Sequence, residues 1–333
     1  MTDFRTPRGF EDALRPPVDL RRARLTPSVL KPPRGGGDDG ASAHFVRAAR
    51  GVPEVMVKIT GRTRDGGHLG AHLDYISRNG VLSLEGPDGE RLSGREEVRG
   101  LARDWSAELA MEPGRRRDAP VSLSIVLSMP RGVDPLRLED SARAFAADVF
   151  ADQFPYVFVL HDEGKHPHVH LTVRALGRDG ERLNPRKADL QAWRELFARR
   201  LRERDVPAEA TPRRARGVAR KAETTPVRKM RERFVAGKGP LPTVLSAAYR
   251  EALQNPKGAR PWLEAIRARE LSVRRALVAE ALRLSRSDKA AERALGALAE
   301  QFVRERPAPE TRDEALRRQV RQRDSDRAGD HER

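Results

Sequence analysis

The chain has 333 residues, with 65 Lys or Arg against 49 Asp or Glu, so its formal net charge is +16 and its pI is about 10.9. This balance excludes an acidic or charge-neutral enzyme and makes a polyanion the expected class of partner. The lack of cysteine excludes a disulfide scaffold and a Cys-based zinc site. No apolar run approaches the roughly 18 residues of a membrane span, and the first residues lack the apolar region of a signal peptide. These features predict a cytoplasmic protein without membrane insertion.

The N-terminal 50 residues are rich in proline and contain the stretch RGGGDDG. No apolar period persists there, which predicts a disordered basic arm over residues 1–50. Order is predicted from residue 51. EVMVKIT favours a strand over Val55–Thr60, and Leu69, Leu73 and Ile76 share one face of a helix. Asn79-Gly80 ends that helix, because both residues tolerate the left-handed conformation.

The middle of the chain alternates predicted helices and strands. A helix is predicted over Arg95–Met111, a half-buried strand over VSLSIVLSM, and a second helix over Pro135–Gln153. YVFVLH and HVHLTVRAL are predicted strands joined by the hairpin loop DEGKHP. Asn184 and Pro185 are predicted to start the next helix, with Asn184 as its cap. This order predicts an α+β fold, with an antiparallel or mixed sheet and helices packed on one side.

The composition changes after residue 210. The tract Thr211–Lys238 holds ten basic and two acidic residues, so residues 211–240 are predicted to be a basic linker that contacts DNA phosphates. Residues 241–306 are rich in Ala, Leu, Arg and Glu, which predicts an α-helical C-terminal extension. Residues 307–333 carry balanced charge and few apolar side chains, which predicts a disordered tail. Residues 51–210 form the predicted catalytic domain.

Four of the eight histidines lie within the ten residues HDEGKHPHVH. Side chains alternate along a strand, so His168 and His170 share one face. If the intervening segment is a hairpin loop, His161 on the preceding strand lies opposite His168. Three imidazoles that converge in this way are ligands for a divalent metal, and three protein ligands leave positions open for a substrate oxygen. His166 is interpreted as a group that orients a ligand or as a DNA contact, and Asp162 and Glu163 as carboxylates able to orient an imidazole.

Tyr75 is one of only three tyrosines and lies in the segment GAHLDYISRNG. On the predicted helix it follows His68 and His72 at helical spacing, beside the apolar face. Taken alone, this tyrosine is typical of a partly buried helical residue. Tyr156 and Tyr249 are interpreted as packing residues.

HLDYISRNG followed by HDEGKHPHVHLTV resembles the relaxases, the mobilisation endonucleases with a His-hydrophobic-His motif, and in particular the branch of the T-DNA border-nicking endonuclease. The resemblance covers about residues 55–217. His168-Val169-His170 is a weak signal alone. With His161 seven residues upstream and a Tyr-x-x-Arg-x-Gly segment before it, the signal is strong.

The resemblance implies a metal-dependent single-strand DNA endonuclease and transesterase. Tyr75 would be the nucleophile, and His161, His168 and His170 would hold Mg²⁺ or Mn²⁺. It further implies site- and strand-specific nicking and rejoining at a plasmid or mobile-element transfer origin, through a 5′-phosphotyrosine intermediate that initiates conjugation. Relatives often carry an acidic residue at the position of Lys165 and an aspartate at that of Glu163. The general base therefore stays open among Asp162, Glu163, His166 and water.

Basic residues flank the candidate site and are predicted to hold DNA. This set comprises Lys58, Arg78, Arg174, Arg186, Arg213, Arg214 and Arg216. The implied partners are single-stranded and supercoiled DNA, a relaxosome accessory protein and the coupling protein of a type IV secretion system. Export of the protein covalently bound to DNA is a further implication of the resemblance.

Two other functions fit parts of the sequence. Rolling-circle replication initiators and transposases use the same chemistry, but they usually place the tyrosine after the histidine motif. Here Tyr75 precedes His161 by 161 − 75 = 86 positions, which favours the relaxase order. A non-catalytic, basic nucleic-acid-binding protein is the third hypothesis, and it predicts that Tyr75→Phe changes no activity.

Overall fold

The computed structural model describes residues 41–111, 118–162, 166–211, 223–254, 261–306, 310 and 314–318. The chain divides into two compact units. One unit comprises residues 50–210, and the other combines residues 41–49 with the described residues from 211 onward. The first unit contains every described residue that the sequence places at the candidate site.

The first unit is built on a six-stranded sheet with the order β1-β4-β6-β5-β2-β3. Its strands are β1 Met56–Thr63, β2 Leu84–Glu85, β3 Arg91–Leu92, β4 Ser122–Ser128, β5 Tyr156–His161 and β6 His168–Arg174. All pairings are antiparallel. The predicted hairpin is confirmed, because β5 pairs with β6 and His161 lies opposite His168. The sequence reading did not include β2 and β3, which have two residues each.

Helices cover both faces of this sheet. The helices of this unit are α2 Gly66–Ile76, α3 Gly94–Ala110, α4 Pro135–Phe150 and α5 Lys187–Arg202. Helices α4 and α5 pack on the face formed by Leu123, Ile125 and Leu127 of β4. Helices α2 and α3 pack against Val157 and Val159 on the opposite face. The α+β class and the antiparallel sheet are confirmed, and the structure adds a second helical layer to the predicted one.

The second helical layer explains a difference at β4. The alternating sequence predicts a strand with one exposed face, but all seven residues of β4 are buried. Its serines face the side covered by α2, where Ser122 and Ser124 form hydrogen bonds with other side chains and Ser128 donates to a backbone carbonyl. Thr63 and Ser122, for example, join through their hydroxyl groups at 2.7 Å. Hydroxyl pairs satisfy each other without water, so a serine face can be buried.

Helix α5 begins later than the sequence predicts. The residue before its first turn is Arg186, whose backbone N–H donates to Asp189 at 2.6 Å. Asn184 is exposed and lies outside the helix, so its predicted capping role is wrong. An acidic residue in the first turn satisfies a backbone donor as a cap would.

The second unit is helical. Its helices are α1 Ala41–Ala49, α6 Thr225–Val235, α7 Thr243–Gln254, α8 Pro261–Ser285 and α9 Ala290–Glu305. Phe45 of α1 is fully buried against Leu277 and Leu284 of α8. The structure thus differs from the predicted disordered arm over 41–49, because Phe45 gives this segment an apolar anchor. Residues 1–40 lie outside the described residues, as does most of the predicted tail. In the part of the chain that the structure describes, no helix is long and apolar enough to cross a membrane.

Candidate active site

Three histidine side chains converge on the sheet face that carries α2 and α3. His168 and His170 lie on β6, and His161 is paired with His168 from β5. The ring centroids are 5.3 Å apart for His161 and His168, 4.5 Å for His161 and His170, and 4.9 Å for His168 and His170. One ligand nitrogen from each ring lies within 4.8 Å of the others. The three residues therefore form a cluster, the histidine cluster, that could hold a metal ion.

Hydrogen bonds to backbone carbonyls fix the orientation of two of these imidazoles. His161 Nε2 lies 2.7 Å from the carbonyl oxygen of Ile76, and His168 Nδ1 lies 3.0 Å from that of His166. A carbonyl accepts only, so each of these nitrogens carries the proton. In the neutral tautomers that these contacts favour, Nδ1 of His161 and Nε2 of His168 are the nitrogens able to bind a metal. Metal-binding histidines in proteins are oriented by the same kind of contact.

The third imidazole is held neutral by its surroundings. Burial, together with the smaller electrostatic effects of His161, His168, His72 and Arg78, lowers the pKa of His170 to about 3. Its Nε2 is buried and has no hydrogen-bond partner among the described residues. A buried ring nitrogen without a partner costs free energy unless a ligand binds it. Three imidazoles form a donor set that divalent metals accept.

Tyr75 reaches this cluster from α2. Its ring lies 6.0 Å from that of His170 at an interplanar angle of 89°, and the tyrosine is 60% exposed. It is thus both next to the histidine cluster and open to a substrate. Tyr156, in contrast, is only 2% exposed, and burial raises its pKa to about 12, which makes it a poor nucleophile at neutral pH.

The chain turns sharply directly after Tyr75. Arg78, Asn79 and Gly80 have φ values of 53°, 59° and 86°, so three consecutive residues adopt the left-handed conformation. A Cβ on Gly80 would overlap the backbone of Gly94 and Arg95. Helix α2 ends at Ile76 with Ser77 as its cap, slightly before the predicted stop, and Asn79 and Gly80 adopt the left-handed conformation that the prediction assumed. The turn also brings Arg78 close enough to His170 to lower the pKa of that imidazole.

The other predicted site residues divide by distance from the cluster. Lys58 is exposed and pairs with Val126, which pairs in turn with His170, so Lys58 lies on the same rung and face of the sheet. Asp162 and His166 are exposed beside the hairpin.

Two predicted DNA contacts lie farther from the cluster. Arg174 lies four residues from His170, about 13 Å along the strand, and is ion-paired with Glu108. Arg186 is exposed before α5, in the layer on the opposite face.

The remaining predicted residues cannot be placed. Glu163, Arg213, Arg214 and Arg216 lie outside the described residues. Two contacts between α2 and the sheet were missed by sequence reasoning. The Ile76 carbonyl is a backbone group and leaves no signal in the sequence. The contact of His72 with the sheet could have been suspected from its spacing of three residues before Tyr75.

Part of this chain matches a known protein family. Residues 86–206 match the family model described as the nuclease domain of MobA/VirD2-like relaxases. The match includes the three histidines of the cluster and begins after Tyr75. This stretch of the first unit is therefore similar to the nuclease domain of MobA/VirD2-like relaxases, in agreement with the resemblance seen in the sequence.

Particular relatives support the same class. The chain is 25% identical to the T-DNA border endonuclease VirD2 of Rhizobium radiobacter over 209 residues, which are 56% of this chain and 48% of that protein. It is also 25% identical to VirD2 of Agrobacterium fabrum over 139 residues, 36% of this chain and 30% of that protein. The chain thus matches about half the length of these curated relatives, or less.

One solved structure, titled "Molecular Basis of Vancomycin Resistance Transfer in Staphylococcus aureus", also aligns with this chain. The alignment has 14% sequence identity and a TM-score of 0.33, and covers 48% of this chain and 99% of the other.

Proposed function

We propose that this protein nicks and rejoins one strand of DNA at a transfer origin by transesterification at Tyr75. The observation that carries the proposal is the position of Tyr75, an exposed phenol whose ring lies 6.0 Å from that of His170 in the histidine cluster. Both groups can therefore contact a single phosphate. The relatives named as T-DNA border endonucleases support a DNA substrate of this kind.

The histidine cluster is proposed to bind Mg²⁺ or Mn²⁺ through His161, His168 and His170. A divalent ion bound there would act as a Lewis acid that polarises the scissile phosphate and stabilises its developing negative charge. The protein contributes the neutral state of one ligand, through the burial of His170, and the orientation of the other two, through the two backbone carbonyls. Imidazoles prepared in this way need little reorganisation when they bind an ion.

The proposed chemical step exchanges one phosphodiester for another. The Tyr75 oxygen forms a bond to phosphorus while the bond from phosphorus to the 3′ oxygen breaks. The phenol loses its proton, and the leaving 3′ oxygen gains one. The products are a 5′-phosphotyrosine and a free 3′-hydroxyl, and the reverse reaction reseals the strand. A free phenol titrates near pH ~10, so it needs activation at neutral pH.

The proton acceptor is proposed to come from the hairpin side of the cluster or from water. Asp162 and His166 are both exposed there, and Glu163 belongs to the same segment. An exposed group can exchange its proton with solvent after each turnover. Any of these groups would act directly or through one water molecule.

DNA is proposed to lie across the sheet face that holds the cluster. Lys58 shares the rung of His170, and Arg78 lies in the turn that follows Tyr75. We propose that both contact phosphates that flank the scissile bond. Arg174 is farther along β6 and would contact a more distant phosphate, whereas Arg186 precedes α5 in the layer on the opposite face and lies away from this proposed path.

A covalent-adduct assay tests the proposal. The protein is incubated with single-stranded oligonucleotides that tile the DNA beside its own gene, with Mg²⁺, with Mn²⁺ or with a chelator. We expect an adduct that survives denaturation, requires the metal and disappears in Tyr75→Phe, since that variant keeps the ring but lacks the attacking oxygen. Tyr249→Phe, in the helical unit, is the matched control and should form the adduct normally. An undiminished adduct in Tyr75→Phe would contradict the proposal.

A further inference from the structure

We propose that His72 is a positioning residue that fixes α2 on the sheet, so that Tyr75 lies beside the histidine cluster. This inference rests on the proposed role of Tyr75 as the nucleophile. His72 touches neither the cluster nor the proposed substrate in the contacts described. It would act through the position of the helix that carries the tyrosine.

The contacts of His72 join one helix to two strands. Its Nε2 lies 2.9 Å from the Thr172 hydroxyl of β6 and 3.0 Å from the Ser124 hydroxyl of β4. Thr172 and Ser124 are directly paired across the two strands and are almost fully buried. The hydroxyls can rotate to donate or accept, so either tautomer of the imidazole satisfies this arrangement.

The register of β6 relates this contact to the active site. Thr172 and His170 are two residues apart, so their side chains share a face and lie about 7 Å apart along the strand. His72 and Tyr75 are three residues apart on α2, a rise of about 4.5 Å on the same side of the helix. His72 contacts Thr172, and the Tyr75 ring lies next to His170. The step from His72 to Tyr75 along α2 therefore runs beside the step from Thr172 to His170 along β6.

A second polar contact holds the other end of this turn. His161 binds the carbonyl oxygen of Ile76, the residue after Tyr75. The tyrosine thus lies between two side-chain contacts from the helix to the sheet. Leu69, Leu73 and Ile76 bury the apolar face of α2, but apolar contacts alone allow a helix to slide or rotate slightly. Directional hydrogen bonds on both sides of Tyr75 specify one position.

Stability alone does not call for histidine at position 72. Burial lowers the pKa of His72, so the imidazole is neutral and forms no ion pair that would strengthen the fold. A buried leucine of similar size would add apolar contact, although it would leave the two hydroxyls to satisfy each other. Apolar side chains could fill the space between α2 and the sheet. What the imidazole adds at position 72 is a directional hydrogen bond.

The test uses two variants and a matched control. His72→Leu removes both hydrogen bonds, and His72→Gln retains a polar group that can reach a hydroxyl. His68→Ala removes a histidine that lies on the same helix, is largely exposed and contacts only Asp65 in the described contacts.

The expected results concern the rate and not the affinity. Adduct formation at saturating DNA should slow by roughly 10- to 100-fold in His72→Leu, because a displacement near 1 Å can cost about that much. The apparent DNA affinity should not change, His72→Gln should restore most of the rate, and His68→Ala should behave as wild type.

A second readout reports position without activity. The three tyrosines are replaced biosynthetically by 3-fluorotyrosine, and Tyr75→Phe assigns one ¹⁹F resonance. Mn²⁺ should broaden the Tyr75 resonance most strongly, since paramagnetic broadening falls steeply with distance. In His72→Leu the broadening of that resonance should weaken, while the Mn²⁺ affinity of the cluster is retained. Should His72→Leu not fold, Thr172→Val, which removes one of the two hydroxyls, is examined in its place by both readouts.

The outcomes separate this inference from the proposed function. Slower adduct formation with weaker broadening, restored by His72→Gln, supports the positioning role. An unchanged rate, or a slower rate with unchanged broadening, overturns it, as does wild-type protein in which Mn²⁺ leaves the Tyr75 resonance sharp. If wild-type protein forms no adduct but shows the His72-dependent broadening, the proposed nicking activity fails while the positioning of Tyr75 stands.

Discussion

The two faces of the central sheet are built from alternate residues of the same strands, yet they have different tasks. On β6, Val169, Leu171 and Val173 are buried in the apolar core beneath α4 and α5. The alternate residues, His168, His170 and Thr172, point to the other face. His168 and His170 belong to the histidine cluster there, and Thr172 contacts α2 through His72. The side chains on one face of the strand thus stabilise the fold, and those on the other face form the candidate site. Substitutions of adjacent residues on β6 should therefore affect metal binding and folding stability separately.

The largest effect is expected from His170→Ala, which removes one of the three proposed ligands. Its metal affinity should fall on the order of 1,000-fold, more than the roughly 10- to 100-fold cost of losing a group that only orients a ligand. Isothermal titration with Mn²⁺ measures this change. Leu171→Ala, the adjacent residue on the other face, is the control and should bind Mn²⁺ as wild type does. Equal affinity in His170→Ala and wild type would remove His170 from the ligand set.

The opposite pattern is expected for stability. Leu171 is 1% exposed, so Leu171→Ala should lower the free energy of unfolding by about 2–5 kcal/mol through lost burial and a cavity. His170→Ala should not destabilise the metal-free protein, because its Nε2 is buried without a partner and its removal ends that cost. Urea denaturation in the presence of a chelator compares the two variants. A His170→Ala protein as unstable as Leu171→Ala would break the division between the faces.

A smaller effect is expected from the metal itself. At a free Mn²⁺ concentration of about 100 times Kd, binding to the folded protein alone should stabilise it by roughly 2.7 kcal/mol. Thermal unfolding with and without Mn²⁺ measures the shift. The shift should persist in Leu171→Ala and vanish in His168→Ala. Stabilisation that survives in His168→Ala would indicate that the ion binds elsewhere.

The smallest effect is expected for DNA contacts on the same face. Lys58→Ala should weaken single-stranded DNA binding modestly and reduce the slope of log affinity against log salt by about 0.7, the value for one phosphate contact on a single strand. Lys187→Ala removes an exposed lysine from α5, in the layer on the opposite face, and should leave the slope unchanged. Fluorescence anisotropy over a salt series measures both. Equal slopes in the two variants would argue against DNA on the histidine face.

Much of the histidine cluster was predictable because strand geometry has a period of two. The spacing of His168 and His170 fixes their common face, and the hairpin loop places His161 opposite His168, as the pairing shows. The proximity of Tyr75 did not follow from periodicity. It was implied by the family resemblance, since α2 and β6 are separated by about 90 residues and their packing depends on long-range contacts.

Other features were missed for identifiable physical reasons. Strands β2 and β3 have two residues each, too few for a periodic signal. The helix over 41–49 follows a glycine- and proline-rich stretch, and the burial of Phe45 against α8 stabilises it through contacts that are distant in sequence. The second helical layer over the serine face was not predictable from alternation. Alternating polar residues usually indicate water on that side, whereas here His72 and paired hydroxyls satisfy them.

The most direct test of the central claim is to identify the residue that becomes attached to DNA. Wild-type protein is trapped with a single-stranded oligonucleotide and Mn²⁺, the DNA is digested, and the peptides are analysed by mass spectrometry. Our account predicts a nucleotide remnant on Tyr75 and none on Tyr156 or Tyr249. A remnant on either of those tyrosines, or an adduct that forms equally well in His161→Ala without metal, would contradict it.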